Sequence, residues 1–189
     1  MSQFTKNNSA LVALIGLDQP GIVATVASAF TRLGCNIEEM TQSILHGQFS
    51  SIFLVNKPEG LANEALEKEV GGALKAKRFR LTLVIRDFEA LPEELPSSQP
   101  FVVSIWGRDA NDIVATFSRI MSEQRVNIRD LRAKPLGKGE SVQIFEVDVP
   151  DTVDTRALHR VMSERAKSMG LTLTMQHHRI FDAMHSVEL

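Results

Sequence analysis

The chain contains one sequence pattern twice, and this repeat constrains its fold more than any other feature. Gly16-Leu17-Asp18 recurs as Gly107-Arg108-Asp109, which is 91 residues later (107 − 16). A second stretch, 52–58, matches 144–150 at an offset of 92 (144 − 52), so one residue is inserted between the two matches. Matches that arise by chance do not keep a nearly constant offset along most of the two halves of a chain. We therefore expect a duplicated small domain, which leaves little room for a catalytic domain and directs the search towards binding.

Composition and charge narrow the class of protein. The 189 residues include 21 basic and 23 acidic side chains, without the basic excess expected of a protein that binds nucleic acid phosphates. The single cysteine, Cys35, permits no internal disulfide and fits a reducing cytoplasm. No apolar stretch is long enough to span a membrane, and the polar start of the chain does not resemble a signal peptide. We expect a cytoplasmic protein that contacts neither a membrane nor nucleic acid directly.

Proline and serine mark the boundary between the two copies. The stretch 91–100 (LPEELPSSQP) has three prolines and two serines, a composition that interrupts helices and strands. The sequence therefore predicts a first domain over residues 1–90, a linker over 91–100 and a second domain over 101–189.

Hydrophobic spacing predicts the same six elements in each copy. Short apolar or alternating runs indicate four strands, and apolar residues at helical spacing indicate two helices. The order β-α-β-β-α-β is the ferredoxin-like arrangement, in which a four-stranded antiparallel sheet carries two helices on one face. This α+β fold hosts many unrelated functions, so the function has to be argued from a site.

Local signals predict where these elements begin and end. His46-Gly47 and Gly137-Lys138-Gly139 are expected to turn the two hairpins. Asp18 or Gln19, which precede a proline, is expected to cap the first helix at its N-terminus. Gly34 is expected to end that helix.

The first βα connection, Gly16 to Gly21, carries the candidate chemistry. It opens a helix, whose N-terminus offers unpaired backbone N–H groups and the positive end of the dipole to a carboxylate or phosphate. Gly21 lets a ligand approach the backbone because it has no Cβ. An α-amino acid needs donors for its carboxylate and acceptors for its ammonium group. Backbone N–H groups within residues 20–23, together with Asp18 and Asn36, would supply both.

Each of these residues also has a purely structural interpretation. Asp18 can be only a helix cap, Gly21 can only ease a turn, and Asn36 can only tolerate a left-handed backbone. Together, at one end of one helix, they favour a ligand.

The pattern GLDQPGIV, followed by LGCNI, resembles the ACT domain, a family of small regulatory modules that bind amino acids. The resemblance covers nearly the full chain as two copies. It implies that the ligand binds at an interface between ACT units, against the first βα loop and the start of the second strand. The residues so implied are Asp18, Gln19, Pro20, Gly21, Ile22 and Asn36.

A tandem pair with no enzyme or DNA-binding domain is similar to the glycine cleavage system transcriptional repressor group. This similarity implies a regulator that responds to glycine or a similar amino acid and acts through another protein, in that group a LysR-type transcription factor. Open sheet edges also favour a homodimer. The alternative is an interaction module of the ACT fold that has lost ligand binding and keeps its loops only as caps.

The second copy departs from the pattern of the first. Asp112 stands where the first copy has Gly21, and it adds bulk and negative charge where a ligand carboxylate would bind. Asp109 and Asp112 are instead expected to cap their own helix. Asn127 keeps the position of Asn36, so a modified site stays open.

Neither a cofactor, a metal nor an enzymatic activity is expected. His177 and His178 would point to opposite faces of a strand, and their spacing to Asp182 and His185 matches no zinc signature, which favours a solvated tail. No nucleophile and base pair stands out either. Cys35 has no basic neighbour in sequence to activate it, so an inert thiol is expected.

Overall fold

In a computed structural model, which describes residues 8–89 and 96–179, the chain divides into two compact units, Met1–Pro92 and Glu93–Leu189. Each unit folds as β-α-β-β-α-β with one four-stranded antiparallel sheet and two helices. The predicted tandem of ferredoxin-like units is therefore confirmed.

The first unit has the strand order β2-β3-β1-β4, so β2 and β4 are its edge strands. A two-residue connection joins β2 to β3, and the two longer connections are helical. Its elements are β1 (Ser9–Leu17), α1 (Ile22–Arg32), β2 (Asn36–Leu45), β3 (Gln48–Asn56), α2 (Asn63–Ala76) and β4 (Leu81–Asp87).

The second unit repeats this topology with the strand order β6-β7-β5-β8. Its helices have the same lengths as those of the first unit, 11 and 14 residues. Its elements are β5 (Ser98–Arg108), α3 (Ile113–Glu123), β6 (Asn127–Gly137), β7 (Glu140–Pro150), α4 (Thr155–Ser168) and β8 (Leu171–His177).

Each unit has its own apolar core between the sheet and the helices. In the first unit, α1 buries one stripe that includes Val26 and Phe30, and the Phe30 ring meets Phe53 of β3 edge to face at 5.5 Å. Burial of an aromatic side chain of this kind contributes about 1.5–3 kcal/mol. Because α1 is held on the sheet by this stripe, the start of the helix has a fixed position beside the end of β1.

Glycine sets the end of α1 and the turns of both hairpins. Gly34 has φ +70, and the N–H of Cys35 donates to the Phe30 carbonyl at 2.9 Å, which closes the helix as predicted. His46 and Gly47 both have positive φ, which is typical of a type I′ turn. In the second hairpin β6 extends through Gly137, so the turn is Lys138-Gly139 rather than the expected three residues.

The expected linker overlaps a strand. β5 begins at Ser98, so residues 98–100 pair with β7 instead of joining the two units. Among the described residues Pro100 pairs only with Asp148 of β7, while pairing with β8 starts at Phe101, so its missing N–H is accommodated.

None of the helices in the described ranges is long and apolar enough to cross a membrane.

Candidate functional site

The β1–α1 loop of the first unit is held against the tip of the neighbouring hairpin. The backbone N–H of Asp18 donates a 2.9 Å hydrogen bond to the carbonyl of Gly47. Leu17 is the last residue of β1 and pairs with Gln48, the first residue of β3. The loop is thus positioned by backbone pairing on one side and by the buried start of α1 on the other.

The helix begins later than the sequence predicts. Gly21, with φ +93 and ψ 0, is the N-cap of α1, and the N–H of Thr25 donates to its carbonyl at 3.0 Å. The expected cap by Asp18 or Gln19 is wrong, because a left-handed glycine occupies the cap position and reverses the chain there. Pro20 precedes the helix instead of lying in its first turn.

The first turn of α1 leaves its backbone donors open. The N–H groups of Ile22, Val23 and Ala24 precede the first intrahelical bond, and no side chain caps them. Pro20 has no backbone N–H, so it cannot be one of the donors expected within residues 20–23. By contrast, the Asp154 carboxylate caps α4 by accepting from the N–H groups of Arg156 and Ala157.

The predicted loop residues differ in how far they are exposed to solvent. Asp18, Pro20 and Gly21 are exposed, and Gln19 is half-buried. Ile22 is 2% exposed and fills the core, so only its backbone can face a ligand. A Cβ at Gly21 would lie in ordinary contact with the Phe79 ring, at 3.8 Å, so the left-handed backbone and not crowding favours glycine at this position.

Asn36 lies at the opposite end of the unit from this loop. It is the first residue of β2 and pairs with Asn56, which also pairs with Ser9, the first residue of β1. The 11-residue helix α1 separates Gly21 from Asn36 by roughly 16 Å along its axis. The expectation that Asp18, Gly21 and Asn36 meet at one end of one helix is therefore wrong within a single unit. The Asn36 side chain instead donates to Glu38 at 2.8 Å.

The second loop has a different backbone conformation as well as a different sequence. Asp112 is the N-cap of α3 with φ −105, and no side chain caps that helix, so the expected self-capping by Asp109 and Asp112 is wrong. The N–H of Asp109 still donates to the Gly139 carbonyl at 2.8 Å, as in the first unit. Asn127 begins β6, again at the far end from the loop.

The C-terminal histidines do not come together. His177 meets the Phe101 ring edge to face at 5.3 Å, while His178 lies 3.8 Å from the Glu146 carboxylate. Asp182 and His185 lie outside the described residues. Within the described ranges, no group of three or more His, Cys, Asp or Glu side chains could hold a metal ion.

Cys35 lies just past α1, half-buried against the core of the first unit. Burial raises the pKa of its thiol, and the nearby Lys57 ammonium group opposes that effect. A raised pKa favours the protonated, less nucleophilic form of the thiol at neutral pH.

The hairpin tip is a part of the candidate site that the sequence alone does not indicate. Gly47 is 29 residues from Asp18 (47 − 18), yet its carbonyl fixes the loop backbone. The His46-Gly47 pair predicts the turn, but only the strand register places that turn beside the β1–α1 loop.

Comparison with known proteins identifies the family. The ACT domain matches residues 8–85 and again residues 99–176. The chain therefore belongs to the ACT domain family and carries two such domains in tandem, as the sequence pattern predicts.

The chain is also similar to individual known proteins. The glycine cleavage system transcriptional repressor of Escherichia coli (strain K12) is 26% identical over 140 residues, which are 71% of this chain and 70% of that protein. A crystal structure of an unknown protein from Galdieria sulphuraria has a TM-score of 0.75 at 19% identity and covers 90% of this chain and 98% of that one. A crystal structure provisionally described as a glycine cleavage system transcriptional repressor has a TM-score of 0.62 at 15% identity and covers 89% and 96%. At these identities the two structures show a shared fold alone.

Proposed function

We propose that this tandem ACT protein is a regulator that binds a small amino acid, with glycine as the first candidate, and acts through contact with another protein. The observation that carries the proposal is the open first turn of α1. Three backbone N–H groups lie at an uncapped helix end, beside a left-handed glycine that carries no side chain of its own.

An α-carboxylate fits the donors of this turn. The N–H groups of Ile22, Val23 and Ala24, with the positive end of the α1 dipole, stabilise a negative charge there. A ligand with no side chain, or a very small one, can lie against Gly21 without meeting a Cβ.

The ammonium group of the ligand needs acceptors, and Asp18 supplies one exposed carboxylate. Asn36 is too far from its own loop to help. It can reach a ligand only when a second unit brings its β2 start beside this loop, which agrees with the binding at inter-unit interfaces that the ACT resemblance implies.

This arrangement suggests how a ligand would act. A ligand that bridges two units favours the arrangement in which both units contact the ligand. The equilibrium between arrangements can shift only by as much as the ligand prefers that one. Changed geometry alters a surface that a partner protein contacts. We propose a transcription factor of the LysR type as that partner, as the ACT resemblance implies, and homodimerisation as one source of the second unit. The similarity to a transcriptional repressor supports a role in transcription.

The test is a thermal-shift screen of the full chain against the twenty amino acids, followed by calorimetry. A ligand that binds only the folded protein at 100 times its Kd stabilises it by about 2.7 kcal/mol. We expect a selective shift with glycine or another small amino acid, and its loss in Gly21→Asp. Binding that survives both Asp18→Ala and Gly21→Asp would overturn the site.

The second candidate is an interaction module that binds no ligand. The uncapped start of α3 supports it, because an open helix N-terminus also occurs in the copy whose loop carries Asp112. No thermal shift at millimolar amino acid would favour this candidate, and partner capture would then identify what the protein contacts.

A further inference from the structure

We propose that the exposed face of α2 is a self-complementary surface on which a second copy of this chain pairs antiparallel, across a two-fold axis at Gly71. The surface, called the α2 face below, is formed by Glu64, Glu67, Gly71, Gly72 and Lys75. These five residues, together with Lys68, line one shallow groove beside β4. The inference does not depend on ligand binding at the β1–α1 loop.

Two consecutive glycines in the middle of α2 need an explanation, because glycine destabilises a helix interior. The packing of the unit does not provide one. A Cβ at Gly72 would meet nothing within 4 Å, and one at Gly71 would meet only the Leu83 side chain, at 3.9 Å. Small residues at such a place let the backbone of another helix approach closely, so the α2 face has the shape of a contact surface.

Two opposite charges of the α2 face lie symmetrically about Gly71, whereas Lys68, which lines the same groove, has the apolar Leu74 at its mirror position. Glu67 lies four residues before this glycine and Lys75 four residues after it, and both side chains are exposed. When two antiparallel helices cross at Gly71, Glu67 of each copy lies opposite Lys75 of the other. An isologous two-fold contact requires this reciprocity, in which one residue meets a second and the second meets the first.

The same charges have no partner within their own helix. Glu67 and Lys75 are eight residues apart, which is about 12 Å along the axis and too far for a direct ion pair. Within residues 8–89 and 96–179, the salt bridges leave both residues unpaired. Glu64 and Arg78, seven residues on either side of Gly71, extend the same antisymmetric pattern, with Arg78 just past the end of the helix.

The equivalent helix of the second unit lacks this pattern. α4 has the same length at an offset of 92, so each position of the α2 face has one counterpart. The two glycines are replaced by Ser163 and Glu164, and Glu67 by His159, while Lys75 is matched by Lys167. Duplicated helices that share one fold therefore differ at the glycines and the acidic residue that the contact needs.

Apolar area beside the α2 face adds to the contact. The groove of about 570 Å³ is also lined by Phe79, Leu81 and Leu83, which are half-buried at the β4 edge of the sheet. A second copy seated on α2 would cover these side chains. Charge pairing then fixes the orientation of the two helices, while apolar burial supplies affinity.

The experiment measures dimer affinity of the full chain by sedimentation equilibrium. Four variants are compared with the unchanged protein: Glu67→Lys, Lys75→Glu, the double swap, and Lys167→Glu as a control of equal charge change on α4. Each single reversal on α2 places like charges opposite each other and should raise the dimer Kd by about tenfold or more. The double swap should restore the original Kd, and the control should leave it unchanged.

Gly72→Leu provides a second readout that does not involve charge. Leucine is a better helix former than glycine, so the melting temperature of the isolated protomer should rise while dimerisation weakens. A chain that stays monomeric at the highest monodisperse concentration would overturn the inference. If the chain does form a dimer, three results would also overturn the inference. They are reversals that leave the dimer affinity unchanged, a double swap that fails to restore that affinity, and an equal loss of affinity in Lys167→Glu.

Discussion

The backbone N–H of Asp18 donates to the Gly47 carbonyl at 2.9 Å, and Asp109 makes the equivalent 2.8 Å bond to Gly139 in the second unit. Each bond ties a βα loop to the tip of the hairpin beside it. The contact is present in both units although the two loops differ in sequence and in the φ of their helix caps. It therefore belongs to the fold, and it makes the hairpin tip part of the support for the candidate site.

Gly47→Ala should weaken this support. Gly47 has φ +76 with open space around it, so an added Cβ costs about 1–2 kcal/mol through the backbone conformation alone. The turn should shift, and the Asp18 amide should lose protection from hydrogen exchange. Gly60→Ala is the matched control, because Gly60 has φ +80 and equally open space but makes no bond to the loop. Equal loss of Asp18 protection in both variants would contradict the proposed support.

The order and type of the elements follow from the sequence because each rests on local periodicity. The apolar stripe of α1 is buried as the spacing predicts, and the predicted strand β3 buries every second residue. Gly34 ends α1 because only a left-handed residue lets the Cys35 N–H return to Phe30, a requirement set within six residues.

The arrangement of the candidate site could not be predicted in the same way. Asn36 follows the end of α1 closely in sequence, but the helix carries the chain to the other end of the sheet before β2 begins. The predicted cap of α1 was also wrong, because Gly21 occupies the N-cap position that Asp18 or Gln19 was expected to fill. Both errors concern positions in space that depend on the direction of the helix and on the strand register.

The variants Gly16→Ala and Gly107→Ala should lose different amounts of stability, although the two glycines occupy equivalent positions in the two units. A Cβ at Gly16 would clash with the backbone carbonyl of Arg80, which cannot rotate away, and should lower the free energy of unfolding by about 3 kcal/mol or more. At Gly107, whose φ is +149, the nearest atom is the end of the flexible Leu171 side chain at 3.0 Å, and the Gly170 carbonyl oxygen follows at 3.2 Å, so a smaller loss of about 2 kcal/mol is expected. Urea denaturation of both variants measures the difference, and a larger loss at Gly107 would contradict it.

Charge at position 21 should decide whether a carboxylate binds. Gly21→Asp adds a negative charge to the α1 N-terminus and should weaken amino acid affinity by at least about tenfold. Gly21→Asn has nearly the same shape and the same left-handed backbone but no charge, so it isolates the electrostatic part. Calorimetry should find that the asparagine variant binds more tightly than the aspartate variant. Equal affinities would place the ligand carboxylate elsewhere.

The Cys35 thiol should react slowly at neutral pH and more slowly still without Lys57. Burial raises the thiol pKa and the Lys57 ammonium group lowers it, so Lys57→Gln should move the pH profile of alkylation to higher pH. Because the thiol pKa in the folded state is raised, the folded state holds its proton longer than the unfolded chain. The thiol therefore stabilises the fold below its unfolded pKa and loses that contribution as pH rises through the folded pKa. Mass spectrometry of alkylated protein across alkaline pH measures the profile, with the exposed Lys68→Gln as the control. A shift to lower pH in Lys57→Gln, or an equal shift in the control, would show that Lys57 does not act on the thiol.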